Sequence, residues 1–220
     1  KTRAVVGPDF PISVKLNSAD FQKGGFNFDD SLQVLKWLED AGVDLVEISG
    51  GTYEQPALMG ADGIEEKEQQ NLAPSTKARE AYFVDFAKAM QDAVTVPLMV
   101  TGGFRTRAAM ESALSSGAAD LIGLGRPMCV MTDAPKQLLE GLEELPRYED
   151  ELHLIPEWLG FLKSFQVVKA IDGFATIYWF YEQLENLGKS GKTDPKLGVF
   201  KAFRAVEARN KRILAARSPR

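Results

Sequence analysis

The chain has 220 residues, a formal net charge of −5 at pH 7, 45% hydrophobic residues and 26% charged residues. That length suffices for one sizeable domain with its own core, and the acidic balance argues against nucleic acid as the main partner. A single cysteine, Cys129, excludes an intrachain disulfide, no cluster offers a zinc site, and no apolar run reaches the roughly 18 residues of a membrane span. No secretory leader is recognisable, so a reducing, cytoplasmic setting is expected. The chain opens on Lys1 without a methionine and is expected to enter a strand soon after, so we expect the natural N-terminus to be missing.

Residues 11–17, PISVKLN, read as the first strand. A helix follows over about 28–40, with Phe28, Leu32, Leu35 and Leu38 on one face and Gly42 as its stop signal. The second strand, 44–49, ends in Gly50-Gly51 and gives way to a long polar loop over 52–76. Ala78–Val94 reads as a helix, 97–101 as a strand, about 106–116 as a helix with Ala109, Met110, Ala113 and Leu114 apolar, 120–124 as a strand, and about 134–143 as a helix. This alternation is that of four consecutive βα units and predicts a parallel α/β sheet. A (β/α)8 barrel needs eight strands and about 250 residues, so four units point to half a barrel or to an open sheet. Residues 144–180 are rich in aromatics and predict helices packing on the outside of the main domain. Residues 188–198 read as a loop, and Phe200–Ala216 as an amphipathic helix. Its apolar side holds Phe200, Phe203, Val206, Ile213 and Leu214, and its basic polar side is read as a solvated face.

The chemistry concentrates in residues 97–127, PLMVTGGFRTRAAMESALSSGAADLIGLGRP. Two strands in succession end in glycine turns, Gly102-Gly103 and Gly125-Arg126. Glycines at the C-terminal ends of adjacent parallel strands let backbone N–H groups approach an anion. In a barrel the loops after the last two strands are the usual phosphate site. Arg126 adds a planar, permanently charged donor suited to phosphate oxygens. In the first strand Ser13, Lys15 and Asn17 alternate with Ile12, Val14 and Leu16, so one face looks into a polar site. A mid-strand lysine is poorly explained by packing, because an unpartnered ammonium costs several kcal/mol to desolvate. Glu47 in the second strand is its candidate partner. Asp44 and Asp120, each opening a strand, are expected to cap turns. The sole histidine, His153, lies outside the strand ends, and no Ser-His-Asp or Cys-His arrangement is supported.

Taken in order, VKLNS, AGVDLVEISGG, STKAREAYF, VPLMVTGGFRT and GAADLIGLGRP resemble the C-terminal half of the old yellow enzyme family, the FMN-dependent NADH:flavin oxidoreductases and ene-reductases. The resemblance covers about residues 5–145, and more loosely the tail around Tyr178–Leu184. It implies a (β/α)8 barrel of which this chain supplies strands five to eight, over 1–145, with 146–220 as a helical extension packing on it. It implies FMN as cofactor, NAD(P)H as reductant and hydride transfer to an activated alkene or another small-molecule acceptor. Lys15 stands where the family places a strand-five Arg or Lys against the pyrimidine end of the flavin. There a fixed cation stabilises the negative charge of the reduced ring. Gly102 and Gly103 match the strand-seven phosphate loop, and Gly125 and Arg126 the strand-eight loop. Ser49, Gly50 and Gly51 end strand six near flavin and substrate. The family's substrate-binding His/His or His/Asn pair, its proton-donating Tyr and a flavin-contacting Gln belong to its N-terminal half, so no catalytic residue and no metal ligand is expected in this chain, which is expected to be inactive alone.

Two other readings stay open. One is a class I aldolase-type barrel with Lys15 forming a Schiff base. The other is a non-catalytic half-barrel that assembles through its open edges, where a homodimer would close a pseudo-barrel; the chain is expected to be a homo-oligomer, dimeric or larger.

Overall fold

The computed structural model describes residues 1–18, 25–49, 87–155, 161 and 165–217. The chain divides into two compact units, with the break between Gly125 and Arg126. In the first, helix α1 (Thr2–Val6) precedes strand β1 (Ser13–Asn17), helix α2 (Phe28–Asp40) and strand β2 (Leu45–Ser49). After helical residues 87–91 come strand β3 (Leu98–Thr101), helix α3 (Arg107–Ser115) and strand β4 (Leu121–Gly123).

Start signals explain the helices. Asn27 caps α2 by accepting from the Asp30 N–H at 3.0 Å, and Asp30 reaches back to the Asn27 N–H at 3.1 Å. Such a reciprocal box satisfies two orphan donors and contributes about 1 kcal/mol. Thr106 caps α3 in the same sense through the Ala109 N–H.

The described strands form one parallel sheet in the order β1-β2-β3-β4. Every neighbour in the sheet is a neighbour in sequence, so the order never reverses as it does in a doubly wound sheet. One face is buried: Leu16, Val46, Ile48 and Leu98 pack with Leu35 of α2 and with Met90. The opposite face carries Lys15, Glu47, Met99 and Leu121 in one register row across all four strands. That row is half-buried to exposed, with Leu121 44% exposed.

Carboxylates fasten the N-terminal ends of the strands. Asp44 accepts from the Ile12 N–H at 2.7 Å and pairs with Arg3 at 2.5 Å. Asp120 accepts from the Leu98 N–H at 2.9 Å, while its own N–H donates to the Leu98 carbonyl. Glu39, at the end of α2, accepts from the Thr95 N–H, the Thr95 hydroxyl and the Val96 N–H just before β3. Asp44 and Asp120 thus have structural roles, but they tie neighbouring segments together instead of capping their own turns as expected, and Glu39 joins them.

The second unit holds a 3-10 turn at Arg126–Cys129, helix α4 (Ala134–Leu139), a second 3-10 turn at Tyr148–Asp150, and the long helices α5 (Gln166–Ser190) and α6 (Val199–Arg217). Trp179 and Phe180 of α5 are buried with Val130, Leu152 and Ala202. Buried Gln183 both donates to and accepts from the Asp194 backbone, which ties the α5–α6 connection to the helix.

The structure departs from the sequence reading in several places. Thr2–Val6 is a helix, not a lead-in to a strand, and five residues are too few to show a helical period. Helix α5 runs through Ser190, past the loop start expected at 188, and stops at Gly191 in a left-handed conformation. Helix α6 buries Ala202 and Val206, while Phe200, Ile213 and Leu214 of its expected apolar side are exposed. The loop expected over 52–76, Gly50, Gly51 and the first part of the 78–94 helix lie outside the described residues.

The carboxylate ties carry a pH signature. The Thr95 hydroxyl and N–H hold Glu39 below the ordinary carboxylate range, and the Ile12 N–H with Arg3 does the same for Asp44. A depressed carboxylate stabilises the fold fully above its unfolded value, about pH 4, and that stabilisation is lost as pH falls through the folded value. Urea midpoints should therefore drop between pH 6 and pH 3 by clearly more in the parent than in a Glu39→Gln, Asp44→Asn variant.

Candidate functional site

Lys15 and Glu47 face each other in register on adjacent strands, and the Lys15 ammonium lies 2.7 Å from Glu47 Oε1. The expected pair therefore forms. Its setting differs from the one expected: the Lys15 side chain is 58% exposed and that of Glu47 18%. The ammonium keeps its water because the polar face is open, so desolvation is not what demands a partner. An exposed pair of this kind contributes only about 0–1 kcal/mol.

The C-terminal ends of the strands are polar and tightly turned. Ser18 and Ser31 are fully buried there. The Ser18 N–H donates to the Ser49 carbonyl at 2.6 Å, and the Ser31 hydroxyl to the Asn17 carbonyl at 2.9 Å. Strand β3 runs from Thr101 into Gly102 and Gly103. Gly103 has φ 74°, a left-handed conformation that glycine adopts without strain. The Phe104 N–H closes back onto the Gly102 carbonyl at 2.9 Å, and the buried Phe104 ring anchors the turn. On β4, Gly123 faces Thr101, and a Cβ at 123 would lie 1.7 Å from Thr101 Oγ1. At Gly125 a Cβ would meet nothing within 4 Å, and the backbone is not left-handed. Neither packing nor conformation among the described residues therefore requires glycine at 125.

Two hydroxyls at this edge, Ser18 Oγ and Thr101 Oγ1, are buried without a hydrogen-bond partner among the described residues. Unpaired buried hydroxyls are uncommon and mark places where a further group belongs. They fit a ligand that brings its own acceptors to this edge. With strands about 4.8 Å apart, the β3 and β4 turns lie about 10 and 14 Å from Lys15 across the sheet. An elongated ligand with an anionic end matches that span.

The structure brings Gly102, Gly103 and Gly125 to the same end of adjacent strands, with Lys15 two positions below that end on β1. Arg126 opens the second unit, at the first residue of its 3-10 turn. Its Nη1 lies 3.2 Å from Glu149 Oε1, and its side chain is 48% exposed. Residue-type reasoning missed Thr101 and Arg105. Arg105 is 5% exposed and donates to the Phe104 carbonyl at 2.9 Å, which sets a permanent positive charge at the foot of the β3 turn. The signal was present as a charged residue inside a tight βα turn.

Other chemistries find no support. Burial pushes the Cys129 thiol up, with Arg126 only partly offsetting it, so no activated thiolate is offered. His153 pairs with Asp172 at 3.4 Å, and Asp172 also accepts from the Leu154 N–H. Among the described residues no group of three His, Cys, Asp or Glu side chains can hold a metal. No helix among them is long and apolar enough to cross a membrane.

A singly wound parallel sheet with a polar C-terminal edge defines the site's class. No family model matches the chain. It is 42% identical over 135 residues to an NADH-dependent flavin oxidoreductase of Neonectria sp. (strain DH2), covering 61% of this chain and 17% of that protein. It is 32% identical over 194 residues to an NADH-dependent flavin oxidoreductase of Talaromyces variabilis, covering 86% of this chain and 45% of that protein. Among solved structures, a 2-naphthoyl-CoA reductase in complex with 2-naphthoyl-CoA superposes with TM-score 0.52 at 26% identity. That likeness covers 63% of this chain and 19% of the reductase. The chain thus spans less than half the length of these relatives. It is a homologue of NADH-dependent flavin oxidoreductases, and its four parallel strands are consistent with part of a barrel-type reductase fold.

The Thr101–Gly123 contact gives a direct check on this edge. Gly123→Ala is expected to destabilise the first unit by about 2 kcal/mol through overpacking. Thr101→Gly in the same chain, which removes both the Oγ1 and the Cβ that the new methyl would meet, should restore part of the loss of urea midpoint.

Proposed function

We propose that this chain provides the cofactor-holding part of an FMN-dependent, NAD(P)H-using oxidoreductase. The observation that carries this reading is the polar edge: glycine turns closing two adjacent parallel strands, unpaired buried hydroxyls beside them, and a cation on the open face. In this reading β1–β4 are strands five to eight of a (β/α)8 barrel, 1–145 belong to the barrel and 146–220 form a helical extension. In this reading the barrel's other strands close the open face and edges, the chain forms a homo-oligomer, and the setting is cytoplasmic.

FMN bound there supplies a ring that takes a hydride from NAD(P)H and passes it to an activated alkene or another small-molecule acceptor. The chain's own residues hold and bias that group. Gly102, Gly103 and Gly125 let the backbone approach a phosphate without a Cβ in the way. Arg126 presents a planar donor set to phosphate oxygens. Lys15 sets a positive charge on the face where negative charge gathers during reduction. None of these groups donates a proton to an acceptor or activates it, so this chain alone is expected to be inactive. The similarity to NADH-dependent flavin oxidoreductases supports the flavin reading over a Schiff-base role for Lys15.

FMN and riboflavin titrations, followed by quenching of flavin fluorescence, test the assignment. Arg126→Ala should weaken FMN binding by about tenfold to a hundredfold, the loss of one or two charge-assisted hydrogen bonds, and leave riboflavin binding unchanged. Equal weakening of both ligands, or no flavin binding by the parent, contradicts it.

A further inference from the structure

Glu47 is a charged residue of the open face that the proposed flavin contacts leave unused. It sits mid-strand in β2, in the register row Lys15, Glu47, Met99, Leu121. The row thus holds one cation, one anion and two apolar side chains. The carboxylate is the more buried partner, 18% exposed against 58% for Lys15, and Oε1 accepts from Nζ at 2.7 Å. Stability is a weak reason for a carboxylate here. The pair gains little from an exposed lysine, while a mostly buried carboxylate carries a desolvation cost. A neutral side chain would fill the position more cheaply.

We infer that Glu47 is a positioning residue for Lys15: it draws the ammonium toward β2 and cancels part of its charge, and so sets how strongly this face favours a reduced, more negative flavin. This rests on the flavin reading above. Lys15 and Glu47 then act in opposite directions. The lysine alone favours reduction, because added negative charge on the cofactor meets a fixed cation. The carboxylate opposes it and keeps the bound cofactor a ready donor to the next acceptor. Glu47→Gln separates the two effects. The amide oxygen still accepts from Nζ, so the geometry stays, and the negative charge is gone.

The test is the two-electron reduction equilibrium of the flavin-loaded protein, measured against a reference dye for the parent, Glu47→Gln, Glu47→Asp and Lys15→Met. Glu47→Gln should move the equilibrium about tenfold toward the reduced form, about 30 mV more positive for a two-electron couple. Lys15→Met should move it the other way, and Glu47→Asp, which keeps the charge, should stay within about threefold of the parent. A residue that merely packs would leave the potential where it is. A flavin-loaded Glu47→Gln protein with the parent's equilibrium, or a more negative one, overturns this inference alone. A parent that binds no flavin overturns the functional reading and this inference with it. Should the glutamine variant not fold, Glu47→Ser, smaller and neutral, is measured in its place with the same expected direction.

Discussion

A parallel sheet is ordinarily covered on both faces, because its crossover helices lie against it and its strands read as unbroken apolar runs. Here only one face follows that rule. Leu16, Val46, Ile48 and Leu98 pack against Leu35 and Met90, and the alternate residues Lys15, Glu47 and Met99 stay half-buried to exposed. The period of two along each strand turns this asymmetry into a choice made at every position. A one-residue slip in register would push Lys15 and Glu47 into the apolar layer and expose Val46 and Ile48. The covered face therefore fixes the register, and the register is what brings Lys15 and Glu47 together.

The two ends of the strands do different work. At the N-terminal ends, Asp44, Asp120 and Glu39 accept backbone N–H groups from neighbouring segments and hold the strand starts in place. Those carboxylates are consumed by structure. At the C-terminal ends the backbone turns tightly through Gly102 and Gly103, Gly123 fits under Thr101, and Gly125 borders open space. In α/β folds ligands bind beyond the carboxyl ends of the strands. In this chain the fastening lies at one end of the strands and the unpaired hydroxyls at the other.

Much of this was legible in the residues. Four short apolar runs separated by helical periods gave the parallel sheet, and alternation within PISVKLN and DLVEIS marked Lys15 and Glu47 as face-sharing residues. Paired charges on adjacent strands were readable because the strand register follows from equal burial. The environment of Lys15 was not readable. Whether a face is covered depends on what lies against it, and no local pattern in the first strand encodes that. Thr101 escaped notice for a similar reason, since its importance comes from a cross-strand glycine 22 positions away in sequence. The short Thr2–Val6 helix and the exposed Phe200, Ile213 and Leu214 show the other limit. A five-residue helix has no period to read, and an apolar stripe says that a face is sticky without saying that it is buried.

Amide hydrogen exchange with and without FMN tests the site most directly, because the two ends of the same strands serve as site and control. Binding as proposed slows exchange at residues 101–103 and 123–126 and leaves 41–44 and 117–120 unchanged. Protection confined to α5 and α6, or equal protection at both ends of the strands, would contradict a flavin site at the glycine turns.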